Sequence, residues 1–319
     1  MELIQNWLDS FHFSKYEMYL LKDCRDVEED NSLHRHERET ERLLGFIPCP
    51  NFKNREVSLW YNATGLINNL FDRYVDNDTV VITTGSEHGS VRNALQKCQN
   101  VLYPIVHGKI VDLSCVENAA KHFKKAFIYT IALSVGDEHY LCNDDVMLIQ
   151  NILKENGVEF VSVLDAVQEM FLLPRDYSIY DYVVNTAHAL LPNYNLGMVF
   201  GTYKLGFRSG SALSQYCDLL EILFTEKDKY YLLNNIMRQH FAKYVKGDKD
   251  LKDTSQAPFV YNLVDYKKRF AGMNDIEVEK GAREPDYTPV TFRACQFLIQ
   301  QDKFLDKIRA MDYILESQY

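Results

Sequence analysis

From about residue 55 the chain alternates two textures. Short, nearly continuous apolar runs rich in β-branched residues occur at 79–83 (TVVIT), 125–134 (KAFIYTIALS), 158–166 (VEFVSVLDA), 181–187 (DYVVNTA) and 196–202 (LGMVFGT). Between them lie stretches with helical character at 64–75, 88–98, 115–123 and 143–155. A strand covered on both faces has no polar side to alternate with its apolar one. Such runs between helices therefore predict an α/β fold, with a parallel or mostly parallel sheet flanked by helices. The helix over 143–155 should stop at Asn156-Gly157, a pair suited to a left-handed cap.

The flanks differ from this middle. Residues 1–46 are charged and amphipathic and predict helix broken near Asn31-Ser32. A long helical segment follows Gly210, and KGDKDLKDTSQAP (246–258) is polar and loop-like. The remainder reads strand–helix–strand–strand–helix, a small α+β domain. The expected organisation is an N-terminal helical segment (1–54), a large α/β domain with its following helix (55–245) and a small C-terminal domain (246–319).

Composition narrows the function classes. At 319 residues and 46% hydrophobic, the chain can bury a large core and is not disordered as a whole. A net charge of −10 argues against nonspecific nucleic-acid binding. The short basic cluster Lys121, Lys124 and Lys125 reads as a solvated helix face. Seven cysteines without any C-x-x-C pair suggest reduced thiols rather than a disulfide frame or a zinc site. The N-terminus has no basic segment followed by an apolar run, and no stretch is apolar for long enough to span a bilayer. The expectation is a soluble, cytoplasmic protein without membrane or nucleic-acid partners.

Four segments carry candidate chemistry. LWYNATGLINNL (59–70) runs from a strand through a small-residue turn into a helix. Such a turn can aim amides and the Thr64 hydroxyl at an anion, although an ordinary capped helix has the same look. ITTGSEHGSVRNAL (82–95) places Glu87-His88 after a strand, where a lone histidine is more often structural. VEFVSVLDAVQEM (158–170) ends a strand on Asp165, with Gln168 three residues on. A carboxylate there lies where ligands bind in open α/β sheets, or it caps the next element. DYVVNTAHALLPNYNLGMVFG (181–201) sets Thr186 and His188 at another strand end, where a satisfied core histidine is the plainer reading.

Taken together and in order, these segments resemble the class V aminotransferase and cysteine desulfurase family, fold type I of the pyridoxal 5′-phosphate (PLP) enzymes. NATGLINNL is similar to the family's G-T-T-E-x-x-N phosphate turn, GSEHGS to E-H-H-[AS]-N, LDAVQ to V-D-G-A-Q and NTAHA to S-G-H-K. FRSGSA (207–212) resembles R-S-G-T, and VTFRACQFLIQQDKFLDKIRAMDYIL resembles the family's closing strand and helix. The resemblance spans about residues 55–319. It implies PLP as cofactor, an amino-acid-like substrate and a homodimer.

Residue by residue, the resemblance puts Asp165 on the pyridine nitrogen, Gln168 on the 3-oxygen and His88 against the ring face. It puts Thr64, Thr186 and His188 on the phosphate, helped by amides near Ala63 and Gly65. Ser211 would reach a phosphate across the dimer, and Arg293 would clamp the substrate carboxylate as a fork.

The chain departs from the family at its Schiff-base lysine, which falls on Ala189. Rescue by the nearby Lys204 is the less favoured alternative, since it lies beyond the return strand. Three readings stay open: an engineered Lys→Ala variant, a natural enzyme using His188 as base in the manner of related sugar dehydratases, and a non-catalytic binding or scaffold protein. The loop at 279–289 (EKGAREPDYTP) holds no cysteine, which disfavours desulfuration, and Cys295 reads as a packing residue of its strand. The segment at Ser134-Val135-Gly136 is shorter than in relatives. Transamination, elimination and related chemistry at Cα or Cβ remain.

Overall fold

The computed structural model describes residues 32–47, 49, 52, 55–106, 108–134, 139–171, 175–187 and 196–205. It also describes parts of 213–221 and the backbone of strands at 251–252, 260–264 and 287–291. The chain divides into two compact units, Glu28–Cys217 and a second made of Met1–Val27 with Asp218–Tyr319.

The first unit opens with helix α1 (Ser32–Gly45), which begins where the sequence predicts the break. Strand β1 (Glu56–Trp60) leads into α2 (Ala63–Tyr74), and β2 (Thr79–Thr83) into the short α3 (Gly89–Leu95). Short pairings β3 (Val101–Leu102), β4 (Ile105–Val106) and β5 (Lys109–Ile110) precede α4 (Ser114–His122). Then come β6 (Lys125–Ile131), the hairpin β7 (Leu133–Ser134) and β8 (His139–Tyr140), α5 (Asn143–Glu155), β9 (Glu159–Asp165), β10 (Tyr182–Thr186) and β11 (Gly197–Gly201). Gly157, at φ 65°, supplies the left-handed residue expected after α5.

Seven strands form one sheet in the order β1-β11-β10-β9-β6-β2-β3. Strands β10, β9, β6, β2 and β3 run parallel, while β11 is antiparallel to both neighbours. It follows that β1 runs with the parallel set, so the carboxyl ends of β1, β2, β6, β9 and β10 share one edge. This is the α/β, mostly parallel sheet that the apolar runs predict.

Packing explains the unbroken runs. Leu66, Ile67, Leu70 and Phe71 of α2 and Val91, Ala94 and Leu95 of α3 lie on Val81, Phe127, Tyr129, Val163, Val184 and Val199. The alternate residues Val80, Ile82, Ile128, Leu164 and Val183 are also buried, so the sheet has no solvated face. Strand alternation puts Trp60, Gly197, Thr186, Asp165 and Tyr129 on the side that α2 and α3 cover.

In the second unit β12 (Leu251–Lys252), β13 (Val260–Val264) and β14 (Tyr287–Thr291) form an antiparallel sheet. Leu251 and Lys252 fall within the stretch that its polarity predicts as loop. Pairing with Leu263 and Asn262 overrides that local composition. Among the described residues no helix is long and apolar enough to cross a membrane.

Candidate active site

The shared carboxyl edge collects the chemistry. After β2 the chain turns through Gly85 at φ 74°, a conformation glycine adopts freely. Glu87 folds back into the protein: Oε1 accepts the Thr84 amide at 2.7 Å and also the Thr84 hydroxyl. The loop is thereby fixed by its own carboxylate. His88 then caps α3, its Nδ1 accepting the Ser90 amide at 3.3 Å and lying 2.9 Å from Ser90 Oγ.

Asp165, at the end of β9, is only 5% exposed. Its Oδ1 accepts the Val167 amide at 3.2 Å, and Oδ2 accepts the Tyr129 hydroxyl at 3.2 Å. Burial pushes its carboxyl up to about 6; the Val167 amide, His88 and Tyr129 oppose that rise and Glu87 adds to it. Glu87, His88 and Tyr129 thus all act on Asp165 at the sheet edge.

This raised value has a consequence for stability. The native state holds the Asp165 proton more tightly than the unfolded chain, so the group's stabilising effect is complete in acid and is lost as pH rises through about 6. Keeping the carboxylate ionised at neutral pH costs at most about 3 kcal/mol, one pH unit being about 1.4. Asp165→Asn gives back that cost less about 1 kcal/mol for one mismatched hydrogen bond. Urea denaturation of the cofactor-free protein should show Asp165→Asn more stable than the parent by about 2 kcal/mol at about pH 8, with no gain at about pH 4. An equal gain at both pH values would contradict the assignment.

The other end of the site is the turn entering α2. Asn62 caps the helix, its side chain accepting the Gly65 amide at 3.0 Å. The turn is set tightly against the sheet. A Cβ on Gly197 would stand 2.2 Å from the Asn62 carbonyl carbon, and one on Gly65 would stand 2.5 Å from the Trp60 indole. Thr64 is exposed in the first helical turn, where the helix dipole favours an anion. In this conformation the Gly65 amide is engaged by Asn62.

Of the residues expected to form a site, Asp165 and His88 come within electrostatic reach of each other, and Ala63, Thr64 and Gly65 form the turn above β1. Gln168 sits half-buried in the turn over 167–171, which takes the place of a following helix; Asp165 therefore caps a turn as well as facing the edge. Thr186 is buried, and its hydroxyl donates to the Leu196 carbonyl at 3.2 Å in the connection to β11. His188, Ala189, Ser211 and Arg293 lie outside the described residues.

Sequence reading passed over Tyr129 and gave Glu87 no role. Glu87 stands in the same motif as His88 and was open to notice. Tyr129 sits in mid-strand among apolar neighbours and carries no local signal. Nor does the ion pair behind Asp165, where buried Arg175 donates Nε to Glu169, Nη1 to Asn143 at 2.6 Å and Nη2 to the Leu141 carbonyl at 2.7 Å.

No protein-family model matches the chain, and no curated protein matches it in sequence. Solved structures do match it in fold. A NifS-like protein from Rickettsia africae superposes with a TM-score of 0.68 at 12% identity, over 95% of each chain. A cysteine desulfurase from Thermococcus onnurineus gives 0.59 at 12% identity, over 98% of this chain and 91% of that one. A PLP-bound C-S lyase from Staphylococcus hominis gives 0.53 at 12% identity, over 97% and 88%. The chain has the fold type I architecture of these enzymes.

Proposed function

We propose that this chain binds PLP at the carboxyl edge of its sheet and acts on an amino-acid-like substrate at Cα or Cβ. The observation that carries the reading is Asp165, a carboxylate buried at the end of a central parallel strand with its two oxygens held by separate donors. A pyridinium nitrogen is the kind of partner such a group lacks: a cation that repays its burial. The name of one matched structure, a PLP-bound C-S lyase, supports the same cofactor.

The described residues fit the group. A buried acid, an imidazole within its field and a helix N-terminus entered through close-packed glycines stand on one edge. Asp165 would hold the ring nitrogen, His88 the ring face and Gln168 the 3-oxygen. Thr64 and the amides near Ala63 and Gly65 would hold the phosphate, with the Asn62 cap giving way at Gly65. Thr186, His188 and Ser211 would complete the phosphate contacts, and Arg293 the substrate carboxylate, on the strength of the sequence resemblance. Bound PLP supplies an electron sink for charge developing on the substrate. The chain's own part is to keep that ring protonated, oriented and away from water. A homodimer follows from the same resemblance through Ser211.

Ala189 favours a second reading, in which the chain binds PLP or a PLP conjugate without turning substrate over. Titration calorimetry of PLP onto the cofactor-free protein tests both readings. Saturable binding that Asp165→Asn weakens by about tenfold or more, the value of a charge-assisted contact, is expected. No heat of binding would sink both.

A further inference from the structure

The two oxygens of Asp165 are served by different kinds of donor. Oδ1 takes the Val167 amide from its own turn, a local contact that needs no particular side chain. Oδ2 takes the hydroxyl of Tyr129, which reaches it from β6, the neighbouring strand. Tyr129 is fully buried, with its ring centroid 5.7 Å from that of Phe71 and 6.4 Å from that of Phe127. A phenylalanine would fill that wall equally well. A phenol buried among Leu66, Phe71, Val81 and Val163 is costly unless its hydroxyl has a partner, and the partner here is Asp165. Burial keeps the Tyr129 hydroxyl protonated, so it donates and Asp165 accepts.

The charged and titratable groups acting on Asp165 from its neighbours are then Tyr129 on β6 and Glu87 and His88 on the loop after β2. Glu87 repels the Asp165 charge and His88 favours it. Tyr129 is the one of the three fixed in the strand wall, and its hydroxyl donates to the carboxylate from 3.2 Å.

We propose that Tyr129 is a positioning residue of the site, which acts through Asp165 to aim the carboxylate at the ring nitrogen and to hold it ionised at neutral pH against burial and Glu87. The role rests on the PLP reading above, but the pairing itself does not.

Carbon-13 NMR of the aspartate carboxyls in the full-length, cofactor-free protein tests it, with Asp165→Asn identifying the signal. Tyr129→Phe should raise the Asp165 midpoint by about one unit, a tenfold tighter hold on the proton. Glu87→Gln should lower it, which gives a second measurement if Tyr129→Phe does not fold. With nitrogen-15 PLP added, the ring nitrogen should stay protonated to a higher pH in the parent than in Tyr129→Phe. An unmoved midpoint in folded Tyr129→Phe overturns the proposal even if PLP binds. In the absence of a folded Tyr129→Phe protein, a midpoint unmoved by Glu87→Gln overturns it. A raised midpoint in a protein that does not take up PLP overturns the cofactor reading, and the role with it, while leaving the hydrogen-bonded pair intact.

Discussion

On the PLP reading, replacing Ala189 by lysine is expected to give a protein that holds the cofactor covalently and turns over amino-acid substrates faster than the parent. The amine restores the two functions an alanine cannot perform: a covalent anchor for the cofactor and a positioned base for the substrate's α-proton. A positioned general base alone is worth about 10²–10⁴ in rate. The Ala189→Lys protein, treated with borohydride and digested, should carry a phosphopyridoxyl mass on the peptide containing residue 189. Its rate of product formation from a panel of amino acids should exceed the parent's by about 10³ or more. A protein that binds PLP yet gives neither the adduct nor a faster rate would place residue 189 away from the chemistry and leave the binding-protein reading in possession.

The second large effect concerns stability. Glu169 is wholly buried and Arg175 nearly so, and their ion pair ties the turn after Asp165 to Leu141 and Asn143 at the start of α5. The guanidinium carbon also lies 4.4 Å from the centre of the Tyr140 ring, so every part of the fork is engaged. Arg175→Met leaves an unpaired buried carboxylate and should lower unfolding free energy by about 3–5 kcal/mol. Burial already raises the Glu169 carboxyl, with Arg175 as the chief opposing influence. Without Arg175 it rises further, so the deficit should shrink as pH falls and Glu169 takes a proton. Adding Glu169→Met to Arg175→Met removes the stranded charge and should restore most of the loss, since well-packed apolar pairs replace buried ion pairs at little cost. Urea denaturation of the two single variants and the double variant decides this. Additive losses would mean that the pair is not coupled.

These expectations show which parts of the molecule its sequence discloses. The parallel sheet is legible because burial on both faces forces continuous apolar runs, and 79–83 and 143–155 agree with the observed elements to the residue. The unit boundary is less legible. The split at Cys217 and Asp218 falls within a continuous helical pattern, with no shift of composition to mark it. The placement of Asp165 and His88 at the carboxyl edge is legible because each follows a β-branched apolar run that ends there. Their partners are not. Tyr129 is chosen by a contact across two strands and thirty-six residues of chain, and neither periodicity nor a short motif encodes such a contact. Arg175 carries no motif, and only the fold buries it against Glu169.

The antiparallel strand β11 also bears on the order of assembly. Strand β1 pairs with β11 alone within the sheet, and the Asn62–Ala63 backbone seats against Gly197. A chain that has emerged from synthesis as far as β10 can pair β2, β6, β9 and β10 with one another, but its first strand still lacks a partner. The turn that enters α2 is therefore expected to seat late, since its pairing spans well over a hundred residues and carries a large loop-closure cost. If the PLP reading holds, a ligand that needs both the Asp165 end and the α2 turn binds only after β11 has paired, and by mass action it then stabilises that final pairing.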